Sequence, residues 1–256
     1  MGGMIFNDWA DRKADAVERP DRPLPSARIS PGRAFAGGLL LFGLGLMCCM
    51  RLGVQTFWMG MGLCVMIQTY NLLIKEVMIL GPLAMGACRG LNVLLGSSAA
   101  REDASMGFEA WAAAGVIAAY VASITHLSRK ETGPVPPRAE AWLPLAVLAL
   151  GLMLVLRQFD DPDPLWRAAR ILPFLAACGI AFFVAVRIRL IGKGRRQSEG
   201  MEELPPLIGR LIGGLLFLQA GFIFASGKDC TALTLGFLVM CCWGLNQYLR
   251  HWFYES

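Results

Sequence analysis

Asn7, Asp8, Asp11 and Asp15 are the residues of this chain whose types and spacing could do chemistry. Asn7, Asp11 and Asp15 recur every four residues, so on a helix they share one face, with Asp8 beside them. Acidic side chains at that spacing repel by roughly 0.2–0.5 kcal/mol per pair, so a cation is the expected reason for gathering them. Arg12 and Lys13 are expected to project from other faces, leaving the acidic face open to an outside divalent metal. The competing reading is a solvated helix end carrying mixed charge.

The elements that position this face are set by composition. Hydrophobic residues make up 55% of the 256 residues and charged residues 17%, against roughly 25% charged in a soluble domain. Apolar stretches of helical length lie near 34–52, 54–74, 77–97, 107–127, 141–156, 165–186, 207–225 and 231–249. They are continuous rather than alternating, which excludes a membrane barrel. The expected fold is all-α, a polytopic transmembrane helical bundle of about eight full spans, forming a single domain over residues 1–256.

Arg19, Arg22, Arg28 and Arg33, then Arg129, Lys130 and Arg138, then Arg187, Arg189, Lys193, Arg195 and Arg196 fall in alternate loops, and the loops between them are sparse or acidic. Basic loops stay cytoplasmic, so the acidic face is expected at the cytoplasmic surface of a cell's inner or plasma membrane. The net charge of +5 is explained by that topology, and no nucleic-acid partner is implied. The eight cysteines lack the C-x-x-C spacing of a metal site and read as packing residues, and His126 and His251 stand apart. Asn71 and Gln68 read as packing hydrogen-bond groups.

Residues 1–6 are apolar and run straight into the acidic motif, yet are far too few to span a bilayer. They look like the last turns of a helix whose beginning is missing, and a helix so poorly anchored is expected to lie at the interface or dock loosely.

Asn7-Asp8-x-x-Asp11-x-x-x-Asp15, followed by Arg19-Pro20-Asp21-Arg22-Pro23-Leu24-Pro25-Ser26, resembles the first aspartate-rich motif and following loop of the UbiA superfamily of intramembrane prenyltransferases. The stretch from Gly81 through Arg89 to Asn92 is most similar to a UbiA-like subgroup known as EboC. The succession of spans extends the resemblance over essentially the whole chain. It implies a Mg²⁺-dependent enzyme that moves a prenyl group from a prenyl diphosphate to an aromatic or lipid-like acceptor. Asn7, Asp8, Asp11 and Asp15 would then be the metal-binding set, because Mg²⁺ takes one or two protein carboxylates and completes its shell with water and substrate phosphate oxygens.

The resemblance also implies that Lys75, at the end of the span holding Tyr70, contacts diphosphate, and that Arg22 does likewise; interfacial snorkelling is the competing reading for both. Arg89 lies near the middle of an apolar span with Asn92 three residues on. A mid-membrane arginine costs at least about 2.5 kcal/mol on insertion scales, so a substrate cavity or an internal partner is expected for it. The family's second aspartate-rich motif falls where this chain reads Thr125-His126-Leu127-Ser128-Arg129-Lys130-Glu131-Thr132, with a single acid. Arg129 is expected to supply charge to the diphosphate there as a fork, with Glu131 orienting it or acting as a lone ligand. The departure leaves a second function open, a non-catalytic relative that binds or carries a polyprenyl or other lipid. The acids at Asp160, Asp161 and Asp163 belong to the opposite side of the membrane and read as a solvated turn.

In-frame codons upstream of Met1 are expected to encode about one and a half further apolar spans; sequencing the locus checks this, and a stop codon immediately upstream overturns it.

Overall fold

The computed structural model describes residues 1–100, 106–129, 139–158, 163–191, 197–226 and 230–254. They are all-helical: α1 (Gly2–Glu18), α2 (Pro31–Leu52), α3 (Val54–Thr69) continuing into a π-helical turn (Tyr70–Ile74), α4 (Leu80–Ala99), α5 (Phe108–Ser128), a 3₁₀ turn (Glu140–Trp142), α6 (Leu143–Gln158), α7 (Pro164–Ile191), α8 (Gln197–Ser226) and α9 (Cys230–Tyr254). Six helical segments are long and apolar enough to cross a membrane, against the eight expected. The α4 segment falls short because Arg89, Asn92 and its small residues dilute its hydropathy, and the described apolar part of α9 is only Thr234–Leu245. The protein is an integral membrane protein. The chain forms two compact units, Met1–Ala114 and Gly115–Ser256.

In the first unit α1 is firmly docked, contrary to the loose helix expected from its short apolar start. Phe6 is 2% exposed. Its ring stacks on Phe42 at 5.1 Å and meets Phe35 edge-on at 5.4 Å. The notch that admits it is Gly38, where a Cβ would stand 2.9 Å from the Phe6 ring. Asn71, in the π turn, donates its amide hydrogen to the Gly3 carbonyl at 3.3 Å, tying α1 to the end of α3. Aromatic packing and one buried polar tether thus do what a longer hydrophobic anchor was expected to do.

The segment between α1 and α2 folds as successive turns. The Arg22 carbonyl accepts from the Ser26 backbone N–H at 3.0 Å and from the Ser26 hydroxyl at 2.7 Å. Ser30 then caps α2, accepting from the Arg33 N–H at 3.4 Å, with Pro31 in the first turn where its missing donor is harmless. Gly53 joins α2 to α3 at φ 135°, a conformation only glycine adopts without strain.

The second unit is held by two buried polar contacts. The Tyr120 hydroxyl, fully buried, donates to the Leu211 carbonyl at 2.9 Å and links α5 to α8. Arg170, 6% exposed on α7, donates through Nε to the Phe224 carbonyl at 3.2 Å. Phe224 is in the last turn of α8, whose carbonyls lack helical partners, so a cation there satisfies both hydrogen bonding and dipole.

Gly38→Leu is expected to displace Phe6 and weaken α1 docking by about 1–3 kcal/mol. Limited trypsin cleavage after Lys13 and Arg28 should then accelerate, whereas Gly37→Leu, where a Cβ meets nothing within 4 Å, should leave it unchanged.

Candidate active site

The helical periodicity that places Asn7, Asp11 and Asp15 on one face of α1 is realised in the first unit. The Asn7 amide donates to Asp11 Oδ2 at 3.1 Å. Asp11 Oδ2 also accepts from the Lys75 ammonium. Arg22 Nη1 lies 2.8 Å from Asp15 Oδ2 and 3.6 Å from Asp8 Oδ1, bridging two carboxylates two turns apart. The acidic face is therefore not left open to an outside cation. The chain's own Lys75 and Arg22 stand against it.

Each cation is delivered by a specific backbone device. Lys75 follows the π turn, and its N–H donates to the Tyr70 carbonyl at 3.0 Å, five residues back instead of four. The extra residue per turn shifts the register by which Lys75 leaves the helix, a frequent use of π turns at functional positions. Arg22 is held by the turns closed on its own carbonyl by Ser26. Burial grades along the face: the Asp15 side chain is 10% exposed, Asp11 25% and Asp8 53%.

A cavity of about 440 Å³ opens beside Asp11, with Trp9, Arg12, Lys13, Asn71, Lys75 and Glu76 among its walls. Arg12 and Lys13 thus line the same space as Asp11, correcting the expectation that they point away from it. Arg12 is drawn there by Trp9: its guanidinium lies 4.4 Å from the indole centre and donates to the Trp9 carbonyl at 2.6 Å. Spacing alone missed Trp9, Arg12, Asn71 and Glu76; the polar Asn71 inside an apolar run was the one signal available for this group.

Arg89 and Asn92 are both exposed on α4 and make no hydrogen bond or ion pair with another described residue. They lie outside the cavity beside Asp11. Tyr70 sits in the π turn that precedes Lys75. Arg129, half-buried just past the end of α5, belongs to the second unit, and Glu131 lies outside the described residues. His126, expected to stand alone, has its Nε2 3.3 Å from Glu140 Oε2 in that unit. Asp163 accepts from the Leu165 N–H at 2.9 Å at the start of α7, while Asp160 and Asp161 lie outside the described residues.

Among the described residues no three His, Cys, Asp or Glu side chains converge as a ready-made metal site. Mg²⁺ needs no such cage, since one or two carboxylates suffice when substrate phosphate and water complete the octahedron. Asp11 with Asn7, or Asp15 with Asp8, offers hard oxygen donors of the right type. Together with Lys75, Arg12, Lys13 and Arg22, these groups form an interleaved acidic and basic surface suited to a metal-bound polyanion rather than to a bare anion.

The profile of the UbiA prenyltransferase family matches residues 1–133, just over half of the chain and all of the first unit. The chain belongs to the UbiA prenyltransferase family. It is 33% identical over 114 residues to the digeranylgeranylglyceryl phosphate synthase of Methanothrix thermoacetophila, covering 42% of this chain and 40% of that protein. To the enzyme of the same name from Sulfolobus acidocaldarius it is 30% identical over 98 residues, 38% of this chain and 36% of the relative. A 47-residue stretch is 51% identical to the Methanopyrus kandleri protein of that name, 18% of this chain and 17% of that one. The match spans less than half the length of these curated relatives. No solved structure matches the chain.

A double-mutant cycle on Lys75→Gln and Asp11→Asn should give a coupling energy of about 1 kcal/mol in thermal unfolding of the detergent-solubilised protein, the upper end of the range for partly exposed pairs. Additive effects would show that the pair contributes nothing.

Proposed function

We propose that the acidic face of α1 and its two cations bind the diphosphate of an allylic prenyl donor, and that the protein is a prenyltransferase working inside the membrane. The observation that carries this reading is that Asp11 and Asp15 are each already matched by a cation, Lys75 and Arg22, and that the Asp11–Lys75 pair lines an open cavity. A diphosphate can take those cations over, since its oxygens accept the same hydrogen bonds. Lys75 and Arg22 then hold the leaving group, and Asn7, Asp8, Asp11 and Asp15 become available to Mg²⁺. When bound, Mg²⁺ neutralises negative charge on the departing diphosphate.

In the transfer, the bond from prenyl C1 to the diphosphate oxygen breaks with its electron pair leaving on oxygen. The acceptor's electron pair forms the new bond to C1, and its proton passes to solvent. Arg89 and Asn92 contact substrate within the apolar span, because an exposed guanidinium there needs an anionic or polar partner. Tyr70 positions the donor beside Lys75. The active-site loops face the cytoplasm, as the distribution of Arg and Lys supports. The product named in the relatives, digeranylgeranylglyceryl phosphate, favours a lipid-like acceptor over an aromatic one.

One observation favours a second reading, a family member that binds or carries a polyprenyl lipid without transfer. Residues 125–132 hold a single acid, Glu131, beside two bases. Asp11→Asn and Asp15→Asn are each expected to abolish Mg²⁺-dependent release of diphosphate from allylic donors in membranes containing the protein. Release undiminished in both variants overturns the enzyme reading. Saturable donor binding by the wild type with no release on any allylic donor establishes the carrier instead.

A further inference from the structure

In the second unit a groove of about 390 Å³ opens between α7, α8 and α9, lined by Ala176, Gly179, Ile180, Phe183, Arg210 and Trp243. All of these except Arg210 are apolar or aromatic. Arg210 is six residues inside the apolar segment Leu204–Ala225, about 9 Å along the helix from its start. It is exposed, and it forms no hydrogen bond or ion pair with another described residue. Its guanidinium instead lies over the Phe183 ring at 5.1 Å. Phe183 is one turn before Arg187, at the end of α7 where Arg189 is also exposed. The Trp243 ring packs on Phe217 at 5.1 Å and closes the far wall. The floor is open at Gly179, where a Cβ would meet nothing within 4 Å.

We propose that this groove binds an anionic glycerophospholipid, with its phosphate on Arg210 and an acyl chain lying along Ala176, Gly179 and Ile180. An unmatched guanidinium within a span calls for a negative partner, and an arginine this close to the basic end of α7 reaches a lipid phosphate drawn toward it, as long cationic side chains near span ends do. The volume falls in the range of about 300–1,000 Å³ usual for ligand pockets, and the walls suit hydrocarbon. A second copy of the chain is poorly matched to the site. The only acids in the six candidate spans are Glu109 and Glu140, each in the first turn and at the wrong depth to meet Arg210. A soluble anion would find one donor group in an otherwise apolar groove. The site lies wholly in the second unit and stands apart from the reading of the α1 face.

The test is lipid retention by the purified full chain in native mass spectrometry, titrated with phosphatidylglycerol, phosphatidylcholine of the same acyl chains, or inorganic phosphate. Phosphatidylglycerol should be retained preferentially, and Arg210→Gln should weaken its retention about tenfold, the loss expected for one charge-assisted hydrogen bond. Arg210→Lys should keep part of it. Gly179→Leu fills the groove from a position with free space and should weaken retention as much, without lowering the melting temperature. Equal retention of the two lipids, or retention unchanged in both Arg210→Gln and Gly179→Leu, overturns the proposal. So does inorganic phosphate competing at equal concentration, which would mark a soluble-anion site, or a dimer mass lost in Arg210→Gln, which would mark an interface between copies.

Discussion

Carboxylates crowded on one helix face beside a bilayer repel one another, and solvent is too scarce there to screen them fully. Lys75 and Arg22 meet that constraint from two directions, one from the end of α3 and the other from the loop after α1. Much of the first unit follows from it. The loop must close tightly on the Arg22 carbonyl so that its side chain reaches back over two turns of α1. The end of α3 must shift register so that Lys75 meets Asp11. Neither cation could arrive if α1 were free to roll, and Phe6 seated in the Gly38 notch fixes its rotation.

The helical architecture and the acidic face were legible in the sequence because both rest on short-range regularities. Apolar runs of span length report helices directly, and a four-residue recurrence reports a face. What could not be read depends on contacts between segments distant in the chain. Nothing in residues 1–18 says that Asn71 will tether Gly3, or that Gly38 will receive Phe6. Helical phase fixes where a side chain leaves the backbone, whereas a long flexible side chain goes where its partner lies, and for Arg12 that partner is the Trp9 ring. The π turn at Tyr70–Ile74 has no periodic signature, since nothing in Tyr70-Asn71-Leu72-Leu73-Ile74 separates it from a regular helix.

The second unit applies the same rule of compensated charge to a different end. Arg170 is buried against the last turn of α8 and donates to the Phe224 carbonyl there. Arg210, on the same helix as that carbonyl, has neither carboxylate nor carbonyl among the described residues and rests on an aromatic face. The contrast between the two arginines separates a guanidinium whose partner is built into the fold from one whose partner comes from outside it.

The π turn is in effect a one-residue insertion that the helix has absorbed without breaking. Were Tyr70–Ile74 to regularise as α-helix with no residue removed, the backbone would be more regular, yet the ammonium would swing by about 100° away from Asp11. The more perfect helix would be the poorer site. Substitutions that favour an unbroken α-helix at this point are therefore the changes by which Lys75 would most easily lose its contact with Asp11 while the backbone gains regularity.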